Sequence, residues 1–206
     1  MKSAEALFQK AFAAFSSQNL PEAERGFKKV LDLNPEHIGA LNLLTVVLMS
    51  TERFEESEKF IAKATRLNQS SDVSFYNYGL ILKQLGRSSK SLEQFTRALE
   101  LKSTVPETWN NRGTVFNDLQ QYENAIIDFD KAISLNPSYA EALTNKGRSL
   151  SELKRYDAAV AAYDAAIAIK SDLEAAWLGR GDAFWKLRRY DEALASYDRA
   201  TALSPV

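Results

Sequence analysis

Apolar positions recur along this chain with two periods at once. Locally they return every three or four residues, as one face of an amphipathic helix does. At longer range the whole arrangement returns every 34 residues. The stretch from Pro106 to Tyr139 shows both. Its landmarks are Trp109, Gly113, Phe116, Tyr122, Ala125, Phe129, Ala132 and Pro137, and 34 residues on stand Trp177, Gly181, Phe184, Tyr190, Ala193, Tyr197, Ala200 and Pro205. The pattern predicts two short helices per repeat, broken near Gln120-Gln121 and closed by Asn136-Pro137. A fixed period of this length marks a repeat architecture and outranks any element-by-element reading.

Setting the frame by the closing prolines divides residues 4–206 into one array of six repeats, 4–37, 38–71, 72–105, 106–139, 140–173 and 174–206, with no insertion or deletion. The eighth position holds Ala11, Thr45, Gly79, Gly113, Gly147 and Gly181; the twenty-fourth holds Phe27, Ile61, Phe95, Phe129, Tyr163 and Tyr197. Small residues at positions 8, 20 and 27 let helices approach, and large ones at 4, 11 and 24 fill the space between them. Pro35, Pro137 and Pro205 lie just past helix ends, Pro106 suits a first helical turn, and Ser70, Ser71 and Asp72 are N-cap candidates.

This pattern resembles the tetratricopeptide repeat family over essentially the whole chain, best in the last three repeats. The first departs at Ala11 and Ala14, and the third has Ser88 and Ser91 where an aromatic and an alanine are usual. The resemblance implies an all-α fold, a right-handed superhelical solenoid of six helix-turn-helix repeats whose first helices line the concave face. The motif residues are packing residues, so they specify fold more closely than function.

Helical geometry places positions 4, 7, 8 and 11 of each first helix on one side and positions 2, 5, 6, 9, 12 and 13 on the other, toward a groove. Position 6 reads Gln9, Leu43, Asn77, Asn111, Asn145 and Gly179. Asparagine is a mediocre helix-interior residue, and its amide can donate to and accept from a peptide backbone together. Asn77, Asn111 and Asn145, with Asn110, Asn117 and Arg148 beside them, are the candidate peptide-binding residues. WNNRG and TNKG resemble the asparagine-ladder arrays of O-GlcNAc-transferase and kinesin-light-chain type. The competing reading is that duplication copied a neutral residue that meets only water. In the first half the groove positions are apolar: Phe8, Phe12, Phe15, Leu43, Val46, Met49, Val73, Tyr76 and Leu80 form a strip. It either seats a partner's hydrophobic anchors or is buried by the array's own curvature. Glu107, Asp118, Glu141, Glu152, Asp182 and Lys186 give the second half mixed charge, and the lysine and asparagine set that the family uses to clamp chaperone C-termini is missing.

Candidate chemistry adds little. Net charge is -1, which argues against nucleic-acid binding, and no apolar stretch is long enough for membrane insertion. With no cysteine and only His37 as an imidazole, no zinc site of the usual kind can form, and His37 is read as structural. Arg180-Gly181-Asp182 lies within a helix, so its match to an integrin-binding tripeptide is a coincidence, and the Asn68-Gln69-Ser70 sequon matters only in a secreted chain. No phosphate-binding loop appears. The expectation is a non-enzymatic scaffold without cofactors, cytoplasmic, holding a protein or peptide segment. Two alternatives stand beside it: the substrate-recruiting part of a larger enzyme such as an O-GlcNAc-transferase-like protein, and a self-assembling repeat protein. The last helix keeps its packing pattern at Ala193, Tyr197 and Ala200, which predicts an uncapped apolar face open to a longer array or to homodimer pairing.

Overall fold

The computed structural model describes residues 3–203, and every regular element among them is an α-helix. These are α1 (Ala4–Ser16), α2 (Leu20–Leu33), α3 (Ile38–Ser50), α4 (Phe54–Leu67), α5 (Asp72–Gln84), α6 (Ser88–Leu101), α7 (Pro106–Asp118), α8 (Tyr122–Leu135), α9 (Ala140–Glu152), α10 (Tyr156–Ile169), α11 (Glu174–Lys186) and α12 (Tyr190–Leu203). First helices begin at 4, 38, 72, 106, 140 and 174 and second helices at 20, 54, 88, 122, 156 and 190, so both starts advance by the expected repeat length. Pro205 lies outside the described residues.

One device closes every first helix. Gln18, Glu52, Gly86, Gln120, Lys154 and Arg188 occupy the left-handed region, with φ between 57 and 68°. The next residue's N–H then reaches back five residues, as in Gln121 to the Phe116 carbonyl at 2.8 Å and Arg189 to that of Phe184 at 2.9 Å. This is the six-to-one bond of a Schellman closure, which satisfies carbonyls that a helix end would orphan.

The chain forms two compact units, one up to Ser103 and one from Thr104. In the first, α1 pairs with α2, α3 with α4 and α5 with α6, and α2–α3 and α4–α5 contacts stack the hairpins. Phe27, Leu44, Leu48, Ile61 and Ile81 are fully buried. The Ala11 departure has a local answer: a Cβ on Gly26 would stand 2.5 Å from the Ala11 Cβ, so the small pair is shared between α1 and α2. Side chains cap all three first helices, Ser3 Oγ accepting from Ala6 N, His37 Nδ1 from Ala40 N and Ser71 Oγ from Ser74 N. His37 also packs on Phe8, with ring centroids 4.5 Å apart. Its work is structural.

The second unit repeats the stacking with α7–α8, α9–α10 and α11–α12 hairpins joined through α8–α9 and α10–α11. Each glycine at position 8 receives a ring from its own second helix. A Cβ added to Gly113 would sit 2.6 Å from Phe129, one on Gly147 2.7 Å from Tyr163, and one on Gly181 2.6 Å from Tyr197. The same lock joins Gly79 to Phe95 in the first unit, at 2.7 Å. Ala193 and Ala200 are buried and Tyr197 seats on Gly181, so these residues do not leave the open face expected of them. They pack within their own hairpin. The large apolar side chains that α12 exposes are Leu194 at 61%, Tyr190 at 52% and Leu203 at 38%.

Candidate groove of the second unit

In the second unit α7, α9 and α11 lie side by side, so their inner positions share a surface. A groove of about 1110 Å³ opens over α9 and α11, lined among others by Asn145, Arg148, Glu152, Tyr163, Leu178 and Trp185. Leu178 is 41% and Trp185 56% exposed. Asp182 and Lys186 complete a wall of mixed charge, and Asp182 Oδ1 accepts a hydrogen bond from the Tyr197 hydroxyl at 2.8 Å. Burial pushes the Tyr163 phenol up to about 12. Burial, with the neighbouring Asp182 carboxylate second, takes that of Tyr197 to about 12 as well. Both hydroxyls therefore stay protonated near neutral pH and act as neutral groups. Arg148 forms no ion pair among the described residues and lines both this groove and a smaller hollow bounded by Asn117, Asp118, Tyr122 and Glu152.

The asparagines divide by task. Asn145 Nδ2 donates to Asn110 Oδ1 at 3.0 Å, and Ser149 Oγ donates to Asn117 Oδ1 at 2.7 Å. Asn110 and Asn117 are 8% and 9% exposed, so they tie α7 to α9 rather than standing open beside a ladder. Asn111 Nδ2 donates back to the Glu107 carbonyl of its own helix at 2.9 Å. Asn77 lies half-buried on α5 of the first unit, where Ser74 Oγ makes the comparable tie to Asn42 Oδ1 at 3.0 Å. The register of asparagines stops at Gly179 for a steric reason: a Cβ there would meet the Tyr163 hydroxyl at 2.6 Å.

The apolar strip of the first unit also divides. Phe8 and Phe15 turn toward Phe27, with centroids at 5.9 and 6.4 Å. Leu43 and Met49 pack against buried clusters; Val46, Tyr76 and Leu80 are half-buried, and Tyr76 faces Phe95 at 5.9 Å. Phe12, stacked on Phe8 at 6.4 Å, remains 44% exposed and Val73 59%. Trp185, Leu178 and Tyr163 were absent from the candidate set. Leu178 and Trp185 occupy the same registers as Phe8 and Phe15, so the helical arithmetic already placed them on this face. Tyr163 was signalled only by a hydroxyl where Phe129 has none.

Four tetratricopeptide repeat models match the chain, over residues 73–104, 106–139, 129–161 and 146–206. The chain belongs to the tetratricopeptide repeat family. No curated protein matches it. Among solved structures, a tetratricopeptide repeat protein from Parabacteroides merdae is 20% identical over 98% of this chain and 80% of its own, with a TM-score of 0.84. The pilF protein of Pseudomonas aeruginosa is 19% identical over 98% of this chain and 92% of its own, with a TM-score of 0.79. YrrB, described as having an unusual peptide-binding site, is 22% identical over 87% of this tetratricopeptide repeat chain and 92% of its own, with a TM-score of 0.71. At such identities the likeness speaks for the fold alone. None of the matching family models is catalytic, and among the described residues no helix is long and apolar enough to cross a membrane.

Proposed function

We propose that this protein is an interaction scaffold whose second unit holds an extended peptide segment of a partner across α9 and α11. The observation that carries the reading is the groove over these helices, where Arg148, Leu178 and Trp185 face open space that repeat packing does not require. An exposed indole and leucine next to an unpaired guanidinium suit a segment with an apolar side chain and a nearby carboxylate. The peptide-binding site described for YrrB supports the class of ligand. Asn145 retains its Oδ1 for a backbone N–H, while its Nδ2 is engaged by Asn110.

A displayed library of random peptides selected on the full chain supplies the probe, and fluorescence anisotropy reads its affinity. Arg148→Ala and Trp185→Ala should each weaken the selected peptide about tenfold or more, the size of an interface hot spot. Arg97→Ala, on α6 of the first unit, should change nothing. Equal affinity for all four proteins would remove the proposal.

A further inference from the structure

Neighbouring repeats of the second unit meet by one rule. On α9, Ala142 and Ser149 are fully buried on either side of Lys146, which pairs with Asp130 of α8 at 2.6 Å. On α11, Ala176 and Ala183 are buried on either side of Arg180, which pairs with Asp164 of α10 at 2.7 Å. The receiving helix sets an aliphatic residue four positions before each aspartate. Val160 is 8% exposed, and Ile126 packs against the buried cluster.

α12 carries the receiving pair in the same register, as Leu194 and Asp198. Leu194 is 61% exposed, and Asp198 is exposed without an ion-pair partner among the described residues. The matching triplet is on α1. Ala6, Lys10 and Ala13 have the spacing of Ala176, Arg180 and Ala183, and all three are exposed. The Lys10 side chain is 71% exposed, with only a 3.4 Å contact to Glu22. In α3 and α5 the central residue is Leu44 or Tyr78, and in α7 it is Arg112, which is already bound to Asp128.

We infer that α12 of one molecule receives α1 of a second copy and repeats the α10–α11 contact, with Lys10 against Asp198 and Leu194 covered between Ala6 and Ala13. The apolar cover supplies most of the affinity; the exposed ion pair selects orientation and register. The two surfaces differ, so the contact is head to tail and each added copy offers the next face. Such a contact continues as a filament unless its rotation closes a ring. It differs from the homodimer expectation in pairing α12 with α1, and it uses neither Arg148 nor Trp185.

Sedimentation of the full chain over a concentration series tests the contact. The mean mass should rise with concentration past that of a dimer. Asp198→Lys and Lys10→Asp should each shift association to about tenfold higher concentration. An equimolar mixture of the two should restore it, because the new aspartate meets the new lysine while the native Lys10 of one variant meets the native Asp198 of the other. Leu194→Glu should abolish association in every mixture with its helical circular dichroism unchanged. A chain that stays monomeric, an assembly that stops at two, or charge variants whose mixture does no better than either alone would each overturn the proposal.

Discussion

The two units share a framework and differ in what they do with their inner faces. In the first, aromatic and aliphatic residues at inner positions fold back onto their own core, as Phe8 and Phe15 do on Phe27. Its first helices are held at their starts by the side chains of Ser3, His37 and Ser71. In the second, the corresponding residues Val105, Tyr139 and Leu173 make no side-chain capping bond to the helix start. Polar ties between helices take their place: Asn145 to Asn110, Ser149 to Asn117, and Arg112 to Asp128. An apolar inner face tends to close on itself because burial is favourable without direction. A polar one is satisfied only along particular bonds, and residues such as Arg148 and Trp185 stay outside them. The second unit thus joins α7 to α9 by buried polar ties and leaves Arg148 and Trp185 on its exposed inner face.

The most severe way to break this comparison is at Asp128, whose side chain is 2% exposed and accepts two hydrogen bonds from the Arg112 guanidinium, at 2.7 and 2.8 Å. Arg112→Leu alone leaves a buried carboxyl without its partner and should cost about 3–5 kcal/mol in urea denaturation. The second repeat fills the same two registers with Leu44 and Phe60, so Arg112→Leu with Asp128→Phe copies an apolar solution that this chain already uses. The double variant should recover most of the loss. If it is no more stable than the single one, the polar tie is required by its surroundings, Trp109 and Phe116 stacked on Arg112 among them, and the two units are not interchangeable at this point.

Legibility in the sequence followed the same division. The glycine-to-ring locks were visible because both partners are encoded by residue type in a constant register, and helix starts followed from them. The asparagines were misplaced in part because a helical wheel gives an angle but not the distance to the neighbouring helix. Asn110 and Asn117 point toward the groove side, yet α9 comes close enough to bury them. The left-handed closures were invisible except at Gly86, since glutamine, glutamate, lysine and arginine carry no signal for that conformation. An exposed apolar face of α12 was expected on Ala193, Tyr197 and Ala200, but these residues pack within their own hairpin.

Those closures provide a second, smaller test, now of what the units have in common. A side chain in the left-handed region costs roughly 1–2 kcal/mol, which glycine avoids at some cost in chain entropy. Gln120→Gly and Lys154→Gly in the second unit should each raise stability by about 1 kcal/mol. Gly86→Ala in the first should lower it by a similar amount. No atom lies within 4 Å of a Cβ built at Gly86, so its loss would report backbone conformation alone. Thermal unfolding reads all three variants. A destabilised Gln120→Gly or an unaffected Gly86→Ala would show that the turns are held by side-chain contacts that differ between the units.

The smallest expected effect separates the units by pH. On the outer helices of the first, Lys28 reaches Glu24 at 2.8 Å and Glu56 at 3.0 Å, and Arg53 also binds both carboxylates. Lys28 first, with Arg53 adding to it, holds the Glu24 and Glu56 carboxyls below their ordinary value of 4.5. A folded value below the unfolded one means that the unfolded chain takes up the proton first as acid is added. The stability from these two groups is thus present above 4.5 and lost as pH falls through the lower folded values. The carboxylates are only partly buried and their cationic partners lie in water, so screening limits the contribution to under about 1 kcal/mol. Asp128 in the second unit runs the other way. Burial raises its carboxyl above 3.8 despite Arg112, so its contribution is complete below 3.8 and declines as pH rises through the folded value. The two slopes oppose each other near pH 4 and flatten the profile of the whole chain. Glu24→Gln with Glu56→Gln removes the first slope, so the variant should lose less stability than the parent between neutral pH and the region below 4.5. Raising the salt concentration should shrink that difference. An identical pH profile for parent and variant would mean that the cluster orders side chains on the first unit without stabilising it, and the contrast between the units would then rest on their buried bonds alone.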